Sequence, residues 1–120
     1  MTTATDPIAD LNAARRNTWN TWVDTHAEMY PDGEALRYLG QTTTWKQLDE
    51  RSRLFADALA RRGVGKGDRV MLITLNNPEF VEAVLGINEI GAIAVPVNFR
   101  LTPGELAYLV SGCSPKVVVT

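Results

Sequence analysis

The residues best suited to chemistry are the glycine-rich run Gly63-Val64-Gly65-Lys66-Gly67-Asp68, the single histidine His26, the single cysteine Cys113, the glutamates Glu79, Glu82 and Glu89, and the pair Asn98 and Arg100. A glycine-rich run binds phosphate when a strand precedes it and a helix follows, so that N-terminal N–H groups face the anion. Here the order is reversed, a helical pattern before and a strand-like run after, and Lys66 is followed by Gly67 where a magnesium-binding Ser or Thr would stand. The run reads as a tight helix-to-strand connection. His26 lies three or four residues from Trp22, Val23 and Tyr30 and continues a stripe from Trp19. A metal site would need further ligands at suitable spacing, and a nucleophilic triad would need a partnered Ser or Cys. Neither is evident, so the stripe reads as core or docking surface. Cys113 alone excludes an internal disulfide and a thiol cluster. Glu79, Glu82 and Glu89 share a stripe with Gly86 opposite Phe80, Val84 and Ile87, which reads as a solvated face. Asn98 and Arg100 follow a strand, at the end where open α/β sheets bind ligands. With no phosphate loop nearby they read as a structural turn. No catalytic, cofactor-binding or metal residue is therefore assigned.

Bulk properties narrow the classes further. At 45% hydrophobic and 22% charged residues, 120 residues make at most one globular domain. A net charge of −2 supplies no basic footprint for nucleic acid or anionic membrane. No apolar run reaches the length of a membrane span or signal peptide. A soluble, cytoplasmic protein is expected, and the lone cysteine fits a reducing compartment.

The elements that must position these residues follow from local pattern. Residues 1–9 are small and polar and read as a disordered tail. From about Asp10 a helical pattern runs to Tyr30, ended by Pro31 and Gly33. Ala35 to Leu39 and Thr42 to Trp45 predict a hairpin around Gly40-Gln41 with a type II′ turn, because glycine takes positive φ without steric penalty. Thr44 and Gln47 form a capping box for a helix whose inner face is Leu48, Ser52, Phe55, Ala56 and Leu59, closed by Arg61-Arg62-Gly63. Arg69 to Leu75 is an apolar run of the kind covered on both faces. Asn77 caps the next helix with Pro78 at its first position, and Gly91 ends it. Ala92 to Val95 is the next strand. Thr102, Pro103 and Glu105 open a further helix whose buried side is Leu106, Leu109 and Val110 and which stops at Gly112, before a third strand from Pro115 to Thr120.

From Arg69 the order is strand, helix, strand, helix, strand with short links. That is a parallel βαβαβ unit, an α/β fold, preceded by a helix, a small hairpin and a second helix. A parallel sheet needs helices on both faces and paired edges, and this unit has too few. It is expected to be the amino-terminal piece of a larger protein.

Several stretches resemble one family. Thr44-Trp45-Lys46-Gln47-Leu48 looks like its Thr-aromatic-x-x-Leu motif, Gly63-Val64 through Gly67-Asp68-Arg69-Val70 its GV..GDRV connection, and Asn76 to Phe80 its N..EF helix start. Gly91 to Thr102 resembles GA..VP.N.RLT, and Glu105-Leu106 and Lys116-Val117-Val118 continue the likeness. Over about Trp22 to Thr120 the chain is similar to the amino-terminal part of the adenylate-forming, AMP-binding superfamily, and most like fatty-acid–CoA ligases. The resemblance implies that residues 10–120 are an incomplete portion of an AMP-binding large domain. It implies a parent that uses ATP, Mg2+ and CoA to convert a carboxylic acid first to an acyl-adenylate and then to a CoA thioester. The family's phosphate loop, its aromatic-Gly-x-Thr-Glu segment, its ribose-binding Asp, its hinge and its C-terminal lysine do not occur in these 120 residues. The piece is therefore expected to be inactive alone, to bind none of those molecules tightly, and to have the rest of the large lobe as its partner, with homo-oligomerisation left open. The alternative is a self-standing, non-catalytic α/β binding or interaction module derived from the same fold.

Overall fold

The computed structural model describes residues 18–120. In order they form α1 (Trp19–Met29), β1 (Glu34–Tyr38), β2 (Gln41–Thr44), α2 (Trp45–Arg61), β3 (Arg69–Leu72), α3 (Pro78–Glu89), β4 (Ile93–Pro96), α4 (Pro103–Cys113) and β5 (Val117–Val119). The expected tail over residues 1–9 lies outside the described residues. Of the helix expected from about Asp10, residues 10–17 also lie outside the described residues; α1 runs from Trp19, with Thr18 extended and capping it through a reciprocal box with Thr21.

Helix ends follow local chemistry. Thr44 and Gln47, and Thr102 and Glu105, form capping boxes, and Asn77 accepts the Phe80 N–H at 3.0 Å. Helices α2 and α3 end in the same way. Gly63 (φ +81°) donates to Ala60 O at 3.0 Å and Val64 to Leu59 O at 3.1 Å; Gly91 (φ +74°) donates to Asn88 O at 3.0 Å and Ala92 to Ile87 O at 3.1 Å. These paired 5→2 and 6→1 bonds are Schellman motifs, which require a left-handed residue and favour glycine.

The hairpin differs from expectation at its turn. Its central residues are Leu39 (φ 49°) and Gly40 (φ 78°), with Tyr38 opposite Gln41, so the turn is type I′, one residue earlier than Gly40-Gln41. The register is set at the open end: Trp45 donates to Gly33 O at 3.0 Å, Lys46 to Pro31 O at 3.1 Å, and an irregularity between Glu34 and Leu36 absorbs the offset.

The three-stranded sheet is parallel in the order β4-β3-β5. Strand β3 ends at Leu72 rather than Leu75, although the Ile73 N–H still bonds Val119 O at 2.8 Å. The two crossovers step in opposite directions across β3, so the right-handed rule sets α3 and α4 on opposite faces. Val70 and Leu72 point to one face and Met71 to the other, and all are fully buried. The main core joins Leu59, Val64, Val70, Leu72, Ala83, Ile87 and Ala92. A second cluster of Val23, Leu48 and Leu85 seats α1 and the hairpin.

Two expectations about helix faces are corrected. Gly86 is buried against α2 instead of lying on a solvated stripe, and Glu82 is mostly covered, its side chain 14% exposed. Helix α3 packs on the sheet, on α2 and on the hairpin, so burial extends around most of its circumference. Helix α4 continues through Gly112 to Cys113; Ser114 takes the left-handed conformation (φ 47°) before Pro115. Its expected buried side is largely bare: Leu109 and Val110 are exposed, and none of its residues is buried.

Candidate functional site

In the Gly63–Asp68 connection the N–H groups of Gly63, Val64, Gly65, Gly67 and Asp68 are already committed. The Gly65 N–H donates to Asp68 Oδ2 at 2.8 Å, Gly67 N–H to Gly91 O at 2.9 Å, and Asp68 N–H to Gly65 O at 3.1 Å. Lys116 Nζ closes the loop from β5, at 2.7 Å from Gly63 O and 3.3 Å from Asp68 Oδ2. The Gly65 N–H and then Lys116 hold the Asp68 carboxyl below its usual range. An anionic carboxylate therefore stands where a phosphate would have to enter. The structure agrees with the helix-to-strand reading.

Among the described residues His26 belongs to no group that could hold a metal ion. Its Nδ1 lies 2.8 Å from Trp22 O and its ring centroid 4.5 Å from that of Trp45. Trp19 and Trp22 are 73% and 61% exposed and, with His26, Leu36, Trp45 and Leu85, line an apolar groove of about 530 Å3. The sequence reading placed the α1 part of this stripe but missed Trp45, whose only signal is an aromatic directly after the Thr44 cap. Asn98 Oδ1 accepts the Arg100 N–H at 2.9 Å, and the Arg100 guanidinium lies 5.4 Å from the Phe99 ring centroid. Both details fit a turn. Cys113 is half-buried, and its carbonyl rather than its thiol is engaged, accepting from Arg69 Nε at 2.7 Å.

At the carboxyl ends of β3 and β5, where an open α/β sheet places ligands, a cavity of about 800 Å3 is lined by Arg51, Phe55, Thr74, Asn77, Glu82 and Val119. Burial pushes the Glu82 carboxyl above its usual range, and Arg51, 3.4 Å away, offsets only part of this. Thr74 Oγ1 is buried with no partner among the described residues. Among the described residues this end of the sheet thus holds the Arg51–Glu82 ion pair and the orphan Thr74 hydroxyl. Among the described residues no cluster of three or more His, Cys, Asp or Glu could hold a metal ion.

The pattern that defines the AMP-binding enzyme family matches residues 23–120. This chain belongs to that family. Among AMP-binding relatives, it is 36% identical over 90 residues to 4-hydroxybutyrate–CoA ligase 2 of Metallosphaera sedula, covering 75% of this chain and 16% of the relative. It is 47% identical over 79 residues to a medium/long-chain-fatty-acid–CoA/3-oxocholest-4-en-26-oate–CoA ligase of Mycobacterium marinum, covering 66% and 14%. The solved fatty acyl CoA synthetase of Mycobacterium tuberculosis superposes with a TM-score of 0.76 at 32% identity, over 82% of this chain and 20% of that one. The chain thus spans about one-seventh of the length of the curated AMP-binding relatives it matches.

Among the described residues the glycine loop is closed by its own Asp68 and Lys116. The described residues of this family member form a three-stranded parallel sheet, a hairpin and the helices packed on them.

Proposed function

We propose that this chain is the amino-terminal part of an ATP-dependent acyl-CoA synthetase, residues 10–120 being an incomplete portion of its large domain. The observation that carries this reading is the family match over residues 23–120 in a chain spanning about one-seventh of its curated relatives. The bare side of α4 and the three-stranded sheet fit it, since a parallel sheet is stable when helices cover both faces. The whole protein then joins a carboxylic acid to CoA at the expense of ATP. Among carboxylic acids, a fatty acid is the substrate class best supported, by the identity to the medium/long-chain ligase. The chain's partner is the rest of the large lobe, the cellular setting is cytoplasmic, and the chain is inactive alone.

The test compares the 120-residue chain with the same chain extended by its downstream coding sequence. Fatty-acid-dependent pyrophosphate release and acyl-CoA formation are expected from the extended protein and not from the chain alone. Acyl-adenylate made by the pure 120-residue chain would overturn the inactivity. An extended protein that folds and binds ATP but converts no fatty acid would overturn the substrate class.

A further inference from the structure

We infer that α4 and β5 open and close as one unit against an otherwise intact body, hinged at the Asn98–Leu101 turn and latched by the Arg69 guanidinium. The inference is independent of the reading above. Every buried residue of both core clusters lies at or before Ala92, in α1, α2, β3, α3 and the connections that follow them; α4 and β5 contribute none, and on the α4 face of β3 the fully buried side chain is Met71. Val117 and Val119 reach the main core only as half-buried neighbours, while Tyr108 on α4 is 79% exposed. Segments with little buried apolar surface are those that open sub-globally while the rest of a domain holds.

Two sets of polar contacts hold the unit down: the β3–β5 ladder, which runs on to the Ile73 N–H bond to Val119 O at 2.8 Å, and a cluster at the amino end of the sheet. Arg69, the first residue of β3, donates from Nε to Cys113 O at 2.7 Å, from Nη2 to Ser114 O at 3.2 Å and from Nη1 to Gly67 O at 3.1 Å. One planar fork thus ties the last carbonyls of α4 to the loop entering β3. A cation here also meets the negative end of the α4 dipole. Lys116 adds a second arm to Gly63 O and the Asp68 carboxylate, and its own N–H bonds Arg69 O at 2.8 Å. At the other end of the unit the Asn98–Leu101 turn is braced only locally, by the Asn98 side chain and the bond from the Leu101 N–H to Asn98 O at 3.2 Å. The unit is therefore held by the β3–β5 ladder and by the Arg69 and Lys116 contacts rather than by core burial, and pivots at the turn. Its opening frees one edge of β3 for pairing with another strand.

Hydrogen exchange followed by mass spectrometry on the 120-residue chain tests this. Peptides spanning 103–119 are expected to exchange faster than those of α2 and α3. Arg69→Gln is expected to speed 103–119 by about tenfold or more, as loss of hydrogen bonds from a charged donor implies, while α2 and α3 keep their rates. Lys116→Gln cuts the half-exposed second arm without touching the core, and serves if Arg69→Gln does not fold. A wild-type chain in which 103–119 is as protected as α2 and α3 overturns the inference. So does a folded latch variant that leaves 103–119 unchanged or speeds all segments equally.

Discussion

Gly86 on α3 faces the backbone carbonyl of Ser52 on α2 so closely that a methyl group in place of its hydrogen would lie 2.7 Å from that oxygen, and 3.1 Å from the Ala56 nitrogen. The two helices cross at this glycine, with Ser52 turning its hydroxyl back to Leu48 O at 2.6 Å. Gly86→Ala gains roughly 1 kcal/mol of helix propensity but must move backbone, and overpacking of this kind costs about 1–3 kcal/mol. A net loss of about 1 kcal/mol is expected in urea unfolding, and a larger one for Gly86→Val. An alanine variant more stable than the parent would show that the helices separate freely.

Two carboxylates are expected to move stability in opposite directions with pH. Glu82 is raised above its usual value by burial, so its charge opposes folding near neutrality, and the penalty fades as pH falls through its folded pKa. Glu82→Gln is expected to be the more stable protein at pH 7, with the advantage gone below about pH 4, where the unfolded carboxyl is also protonated. Asp68 is lowered by the Gly65 N–H and Lys116, so its charge supports folding above the unfolded value of about 3.9 and the support is lost as pH falls through the folded value. Asp68→Asn is expected to be less stable at pH 7, with the gap closing only under stronger acid. Urea midpoints for both variants at pH 7 and pH 3 check the signs.

At the hairpin tip Leu39 is left-handed and 85% exposed. A leucine gains nothing there and carries the steric penalty of that conformation, about 1–2 kcal/mol. Leu39→Asn gives the Asn-Gly pair that type I′ turns favour, and is expected to raise stability by about 1 kcal/mol in thermal or urea unfolding. No change or a loss would mean that the turn relaxes to another type.

Thr74 Oγ1 is buried without a partner among the described residues. Thr74→Val keeps the shape and removes the unsatisfied group, whose burial costs about 1–3 kcal/mol. In this chain the variant is expected to be as stable as the parent or more so. Clear destabilisation on urea unfolding would mean that the hydroxyl is satisfied in solution.

Where a backbone need is met within a few residues, the sequence alone determined the outcome. The Thr44 and Thr102 capping boxes, the Asn77-Pro78 helix start and the Gly63 and Gly91 stops were legible because each N–H, carbonyl or positive φ is served by a neighbour in the chain. The family was legible for a related reason, since its motifs are such local junctions. Tertiary structure decided what depends on neighbours far along the chain. Gly86 and Glu82 read as solvent-facing because periodicity reports one buried face, whereas α3 touches the sheet and α2 together. The hairpin turn followed bonds made at its open end, and the end of α4 followed Ser114 before Pro115. The Arg69 and Lys116 contacts span 44 to 53 residues, a separation over which spacing carries no signal. Spacing in the sequence assigned no residue to the candidate site. The cavity with its buried Glu82 and orphan Thr74 exists only because α2 is brought across the carboxyl ends of β3 and β5.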